Sequence, residues 1–347
     1  MTDSGRPYRV VQWATGNIGT YALRAVIEHP HLTLAGVYVH SAAKSGRDAG
    51  ELCGIGRTGV IATQDVDEIV ALGADCVLYM PQGCDYEALC LLLANGTNVV
   101  TTRGEFVRAA SLDPAVRARI EAACARGATS IHSTGSSPGF ISEAVPLALT
   151  SIQRRLDLLT IDEFADLSSR NSPELLFDLM GYGRDPAEFD TGRWAHGATS
   201  FGPSLQVLAE ALSMPLDAVE ATGEVATARR TVAIAAGTLA AGTVAAQRMI
   251  VTGMRDGRPL LRFRANWYCT TDLEPAWELR DTGWRIVVEG DAPLDVEIHF
   301  PVPAEHYAAV SPAYTANRAV NAVPFVCAAS PGIRSTVELP TIVAALG

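Results

Sequence analysis

The 347-residue sequence has no C-x-x-C pair, and its seven cysteines are scattered and odd in number. A disulfide frame and a cysteine-based zinc site are therefore excluded, and the thiols read as buried groups in a reducing compartment. The seven histidines show no ligand spacing, so no metal site is expected from them. No apolar run is long enough to span a bilayer. The segment before Tyr8 is polar and lacks the apolar core of a signal peptide, which points to the cytoplasm. Positive charge is scarce as well: 27 Lys and Arg stand against 38 Asp and Glu, a formal net charge of −11 that argues against a nucleic-acid surface. Internal repeats and low-complexity tracts are absent. A chain of this length fits two domains better than one.

What is present begins with Tyr8-Arg-Val-Val-Gln-Trp-Ala14-Thr15-Gly16-Asn17-Ile18-Gly19. An apolar, β-branched run meets a glycine turn, and a helical pattern over 21–28 follows at once. That order suits a dinucleotide. Glycines let the backbone approach the pyrophosphate, and free N–H groups at the helix start receive its charge. The match is Ala14-x-Gly16-x-x-Gly19, so an alanine replaces the first glycine of the usual pattern. Gly16, Asn17, Ile18 and Gly19 are accordingly candidate cofactor contacts.

Further strands are expected at 32–40, 60–62, 76–80, 98–102 and 129–133, and helices at 66–72, 86–94 and 114–125. The last helix has Asp113 as its N-cap and proline in its first turn. Such alternation predicts an α/β Rossmann domain, a mostly parallel, doubly wound sheet, over 1–140. The pattern then changes. Strands at 157–165, 219–227, 245–252, 260–268, 283–288 and 294–300, with helical stretches at 172–180 and 203–212, predict a second domain. It is of α+β type, covers 141–311 and is built on an open, mostly antiparallel sheet, with Arg255-Asp256-Gly257-Arg258 as a hairpin turn. An open sheet needs its free face covered, so a homodimer pairing sheet to sheet is expected. In the remaining segment, 312–347, an Ala- and Val-rich helix over 312–329 returns to the first domain.

Nicotinamide preference turns on the end of the second strand, where NAD-specific sites carry a carboxylate for the ribose 2′-hydroxyl. Here no carboxylate occurs between Glu28 and Asp48, while His40, Ser41, Lys44 and Arg47 do occur. Hydroxyl, imidazole and two cations suit a 2′-phosphate through charge-assisted hydrogen bonds. NADP(H) is the expected cofactor, with NAD(H) possible as a substitute. A solvated basic loop is the alternative. At the carboxyl ends of later strands, Met80, Pro81, Thr101 and Thr102 are further candidate contacts.

Reacting groups belong beside the cofactor at those same strand ends. Glu105 is the one carboxylate in the two segments 99–106 and 131–140 that end there. A carboxylate near a nicotinamide can serve a carbonyl or an imine. Hydride adds far faster to an iminium cation, an anion stabilises that cation as it forms, and the same anion accepts a proton from ammonium or a carbinolamine. The alternative role is capping the positive end of the following helix.

Three stretches carry a resemblance: Val39-His40-Ser41 with Lys44-x-Gly46-Arg47-Asp48-Ala49-Gly50-Glu51-Leu52-Cys53-Gly54, Ser133-Thr134-Gly135-x-x-Pro138-Gly139-Phe140, and Thr315-Ala316-x-Arg318-Ala319-Val320-Asn321-Ala322-x-Pro324. Together they resemble the 2,4-diaminopentanoate dehydrogenases, whose relatives include NAD(P)-dependent amine dehydrogenases and which are often called dihydrodipicolinate reductase-like. The resemblance spans essentially the whole chain. It implies reversible reductive amination of a small ketone or aldehyde with ammonia, with Glu105 in the place of the glutamate that holds the amine. It also implies cofactor contacts at Gly135 and at Ser137, where the family often has asparagine. The His-His pair and the Lys-x-Asp-Ala-Pro-Ser-Gly-Thr-like segment of true dihydrodipicolinate reductases are missing. Where a diaminopentanoate enzyme should place a cation, the segment 162–166 offers acids, including Asp166, and Phe164. Phe140, Phe164, Trp267 and Tyr268 suggest an apolar pocket for an uncharged aliphatic carbonyl, and His196 and Thr315 are further substrate candidates. Rival readings are a diaminopentanoate-type enzyme, an imine or carbonyl reductase, and a non-catalytic NADP(H)-binding regulator.

Overall fold

The computed structural model describes residues 5–190, 192 and 194–346, with the side chains of His196, Ala304 and Glu305 outside that description. The chain divides into two compact units, Met1–Ala144 with Ser311–Gly347, and Val145–Val310. The first unit begins β1 (Tyr8–Trp13), α1 (Asn17–Glu28), β2 (Leu32–Tyr38), α2 (Ala49–Leu52), β3 (Ala62–Thr63), α3 (Val66–Ala71) and β4 (Cys76–Tyr79). It continues with α4 (Tyr86–Ala94), β5 (Asn98–Thr101), α5 (Pro114–Gly127) and β6 (Ser130–Ser133). Val10, Val11, Trp13 and all of β4 are buried, as expected for strands covered on both faces. Four of the helices start on an aspartate: Asp48, Asp65, Asp85 and Asp113 each accept from backbone N–H groups of the first turn.

The second unit opens with α6 (Val145–Thr150) and β7 (Leu156–Asp166), then α7 (Trp194–Ala211) and β8 (Ala218–Ala228). A small hairpin, β9 (Val232–Ile234) with β10 (Gly237–Leu239), precedes β11 (Val244–Arg255), β12 (Arg258–Tyr268), β13 (Leu273–Glu274), β14 (Gly283–Gly290) and β15 (Leu294–His299). The large sheet has the order β13-β8-β11-β12-β7-β14-β15, and only the β12–β7 pair is parallel. Between β11 and β12 the turn residues Asp256 and Gly257 both have positive φ, 51° and 70°, the geometry of a primed hairpin turn. Helix α7 covers one face of this sheet, against β8, β11 and β12.

Two helices start earlier than their prolines suggest. The sequence pattern places these helices over 203–212 and 312–329, each beginning at a proline. Instead α7 runs through Pro203, held by Phe201 stacked on Phe263 at 4.3 Å and by Gly197 lying close to Met249. Tertiary packing of this kind outweighs one missing backbone bond. The last helix, α8 (Ala304–Cys327), likewise contains Pro312 and Pro324. Its Ala316, Ala319, Val320, Val323 and Val326 pack with Val10, Ala22, Cys76 and Leu78 of the first unit.

A seventh strand, β16 (Gly332–Arg334), completes the first sheet in the order β16-β6-β5-β4-β1-β2-β3, every neighbouring pair parallel. The run 3-2-1-4-5-6 within it is the Rossmann order. The fold is thus a parallel doubly wound sheet plus a mostly antiparallel open sheet, as the alternation and its loss had indicated.

Candidate active site

The glycine turn is built from the end of β1. Ala14 adopts φ +73°, the left-handed region that favours glycine, so the alanine takes on the conformation its motif reserves for the first glycine. Its N–H donates to Tyr38 O at 2.9 Å, and its carbonyl accepts from Gln12 Nε2 at 2.8 Å. Gly19 is required by contact: a Cβ there would lie 2.1 Å from the Ala14 oxygen. Gly16 is the N-cap of α1 and makes no side-chain capping bond, unlike the aspartates of α3, α4 and α5. A Cβ on Gly16 would meet nothing within 4 Å. Open space before an uncapped helix start is where an anion is held by backbone N–H groups.

That space belongs to a cavity of about 650 Å³, whose lining includes Thr15, Gly16, His40, Ser41, Lys44, Met80 and Pro81. Lys44 is the only lysine in the chain. Its Nζ donates to Thr15 O at 2.7 Å and to Thr15 Oγ1 at 3.2 Å, which ties the loop after β2 to the glycine turn. Asp48 anchors the rest of that loop. It accepts from the N–H groups of Thr58, Gly59 and Gly50, and these bonds, Thr58 foremost, hold its carboxyl down at about 2. Trp13 stacks on Tyr38 at 3.8 Å, and His40 meets the Tyr38 edge at 5.2 Å. Trp13, Tyr38, Tyr79 and the loop from Gln82 to Asp85 also line the cavity, and the sequence reading did not single them out for it. Aromatic residues ending neighbouring parallel strands were the available signal.

Not every candidate lines this cavity. Asn17, Ile18 and Gly19 form the first turn of α1, and Ile18 packs into the core. Arg47 is exposed and outside the lining. Thr101 is fully buried, with its Oγ1 donating to Tyr79 O at 2.7 Å, so it pins β5 to β4. Thr102 is also outside the lining.

Glu105 sits in a 3-10 turn, Gly104–Phe106, anchored by the fully buried Phe106. Its side chain is 35% exposed. Asp113 caps α5, which removes helix capping as the role of Glu105. Its partner is Arg103: Nε lies 3.1 Å from Oε1, and Nη2 also contacts Oε1. The same guanidinium donates from Nη1 to the carbonyls of Pro81, at 3.3 Å, and Gln82. Burial pushes the Cys84 thiol up to about 11, with the Glu105 charge adding to the effect, and pushes the Tyr79 phenol up to about 12. Neither ionises near neutral pH.

The loop after β6 is packed against α8. Thr315 Oγ1 lies 2.7 Å from Ser136 Oγ, and a Cβ on Gly135 would come within 2.8 Å of Thr315 Cγ2. Ser137 Oγ and Thr134 Oγ1 are buried without a hydrogen-bond partner. Phe140 opens the helical turn that follows and is half-buried. Below the loop, His132 is fully buried with Nδ1 2.7 Å from Arg334 O. Burial pushes its imidazole down to about 4, so it stays neutral.

Within the second unit, Trp267 lines a cavity of about 550 Å³ together with Trp194, Phe201, Met180 and Met249. Tyr268 does not, because neighbouring strand residues face opposite sides of the sheet. It is 3% exposed, its hydroxyl donates to Arg280 O at 2.6 Å, and it belongs to the core. Phe164 is buried and outside the lining. Asp166 ends β7, and its Oδ1 accepts from Ser168 N at 2.8 Å. The side chain of His196 lies outside the described residues. The acids of 162–166 have partners: Asp162 pairs with Arg264 at 2.6 Å, and Glu163 accepts from the indole N–H groups of Trp267 at 3.1 Å and Trp284 at 3.2 Å.

Residues 140–347 match the family model described as the 2,4-diaminopentanoate dehydrogenase C-terminal domain, and residues 10–125 match the N-terminus of dihydrodipicolinate reductase. An amine dehydrogenase of Streptomyces virginiae is 30% identical, the alignment covering 95% of each chain. The solved structure of an amine dehydrogenase from Mycobacterium smegmatis superposes with a TM-score of 0.77 at 21% identity, covering 98% of both chains, which shows a shared fold.

Proposed function

Because this chain belongs to the 2,4-diaminopentanoate dehydrogenase family and is an NAD(P)-dependent oxidoreductase, we propose that it is an amine dehydrogenase, joining ammonia to ketones or aldehydes. The observation that supports the reading is the Arg103 guanidinium, which pairs with Glu105, itself outside the lining, and also holds the carbonyls of Pro81 and Gln82, two lining residues of the first unit's cavity.

The residues present fit a dinucleotide. The uncapped start of α1 and the open space at Gly16 would take the pyrophosphate. Lys44, with His40 and Ser41 beside it in the lining, would take a 2′-phosphate, which supports NADPH over NADH. Ser137 Oγ, buried and unpartnered, would serve the nicotinamide end, near Gly135 in the same loop. When bound, the nicotinamide supplies the hydride, so that carbonyl, ammonia, reduced cofactor and a proton give amine, water and oxidised cofactor.

Glu105 supplies the negative charge that stabilises the iminium formed as carbonyl and ammonia condense, and it accepts a proton from ammonium or from the carbinolamine. Arg103 orients that carboxylate. Thr315 fixes the loop 133–140 through Ser136. A homodimer through the face of the second sheet opposite α7 is part of the same reading. That face carries Arg264 and Arg285, both directly across from the buried Asp162, and two such faces can exchange these charges as they meet.

The test is consumption of NADPH with a carbonyl panel, each compound run with and without excess ammonium at mildly alkaline pH. Oxidation that requires ammonium supports the reading. Oxidation without it moves the protein to the carbonyl reductases, and tight cofactor binding without any oxidation favours a regulator.

A further inference from the structure

The cavity of the second unit has its own chemistry. It measures about 550 Å³ and is lined by Leu179, Met180, Trp194, Phe201, Met249 and Trp267, with Ser200, Gln247 and Asp190 as its polar members. A space of ~150 Å³ already holds benzene. The cavity therefore has room for an aromatic ring with an alkyl chain, well beyond a ketone of a few carbons. Asp190 is the one charged side chain of the described lining, and it is exposed. A ligand carboxylate would meet no described cation there and would be repelled by Asp190.

One wall is held by an unusual device. Glu163 lies on β7 between β12 and β14, and its two oxygens are taken one each by Trp267 Nε1, at 3.1 Å, and Trp284 Nε1, at 3.2 Å. Trp284 is directly across from it and Trp267 sits one pleat along. A half-buried carboxylate with both oxygens bound to indoles is a fixed acceptor. Without it Trp267 would keep its apolar contacts but lose the acceptor of its indole N–H.

We propose that this cavity binds the hydrocarbon part of a bulky, uncharged ligand, an aryl-alkyl or medium-chain group, against a Trp267 wall that Glu163 positions. The assignment of that ligand as the carbonyl substrate rests on the amine-dehydrogenase reading; the binding itself does not.

The test is equilibrium binding to the purified full-length chain, read by tryptophan fluorescence and calorimetry without ammonium. The probes are benzylacetone, its near-isosteric carboxylate hydrocinnamate, and butanone. Benzylacetone is expected to bind at least about tenfold more tightly than either of the others. Ser200 is exposed at the lining, so Ser200→Trp should block the cavity without disturbing the core. It should abolish benzylacetone binding and leave NADPH binding unchanged. Glu163→Gln should weaken benzylacetone about tenfold and butanone hardly at all, since the amide NH2 that replaces one carboxylate oxygen is a donor and cannot accept from the indole that oxygen held. Equal binding of hydrocinnamate, or undiminished benzylacetone binding in Ser200→Trp, overturns the proposal. Turnover separates the two readings. Benzylacetone binding with no amination of any carbonyl sinks the reaction and leaves the cavity assignment standing. Normal amination of benzylacetone by Ser200→Trp does the reverse.

Discussion

The guanidinium of Arg103 and the carboxylate of Glu105, two residues apart in the chain, are bound face to face, Nε 3.1 Å from Oε1 and 3.3 Å from Oε2. The acid is thus held beside a cation that also grips the Pro81 and Gln82 carbonyls. Glu105→Gln keeps the shape and removes the charge. It is expected to lower ammonium-dependent NADPH oxidation by about a hundredfold to a thousandfold. Arg103→Met, which removes the paired cation and its orientation of the carboxylate while leaving Glu105 in place, should cost about tenfold. Steady-state rates with unchanged NADPH affinity would support this division; a Glu105→Gln enzyme of full activity would refute it.

Lys44 makes a second prediction unusually clean, since no other lysine exists in the chain. Lys44→Met should weaken NADPH by about tenfold to a hundredfold, the worth of a charged hydrogen bond, and leave NADH affinity nearly unchanged. Amine-directed labelling followed by mass spectrometry should modify this residue, with NADP+ protecting it. Equal losses for both cofactors would assign Lys44 to the glycine turn alone.

Ala14 stores strain at φ +73°. Left-handed backbone costs a non-glycine residue on the order of 1 kcal/mol, part of which glycine forfeits through a freer unfolded chain. Ala14→Gly should therefore match or slightly exceed the parent in urea midpoint, and Ala14→Val should fall below it. A valine variant as stable as the parent would contradict the backbone geometry.

Acid should destabilise the protein through His132. Its folded pKa is about 4 because burial disfavours the imidazolium, below the ordinary 6.5. The unfolded chain therefore binds the extra proton first. Stability is whole above 6.5, falls through the interval, and reaches its full loss below about 4. Between pH 7 and pH 5 this amounts to roughly 2 kcal/mol. His132→Gln should flatten the dependence in urea titrations at the two pH values.

The face of the second sheet opposite α7 supplies a last expectation. Ile250 lies on it between Arg248 and Thr252, and all three are half-buried. Light scattering should give twice the mass of one chain, and Ile250→Glu should halve it. A monomeric parent would end the dimer reading.

Much of this was legible along the chain. The alternation of short apolar runs with helical patterns defined the parallel sheet, because burial on both faces demands continuous apolar strands. The Ala14-x-Gly16-x-x-Gly19 turn and the basic loop before Asp48 marked residues that line the first unit's cavity, since those features act locally. Other features were invisible for definite reasons. The strand Gly332–Arg334 is three residues long, too short to show a period. The stacking of Trp13 on Tyr38 depends on β1 and β2 lying side by side. Trp267 and Tyr268 looked alike as pocket candidates until the pleat sent one to the cavity and the other to the core. The acids Asp162 and Glu163 stood where a diaminopentanoate enzyme should place a cation, and strand pairing gave one an arginine and the other two indoles. Sequence alone determined which elements form and which local turn can receive a phosphate, because propensity, periodicity and backbone strain operate over a few neighbouring residues. Only the tertiary structure decided which side chains share a cavity and which charges are already spent, because those depend on strands and helices far apart in sequence being brought within a few ångströms.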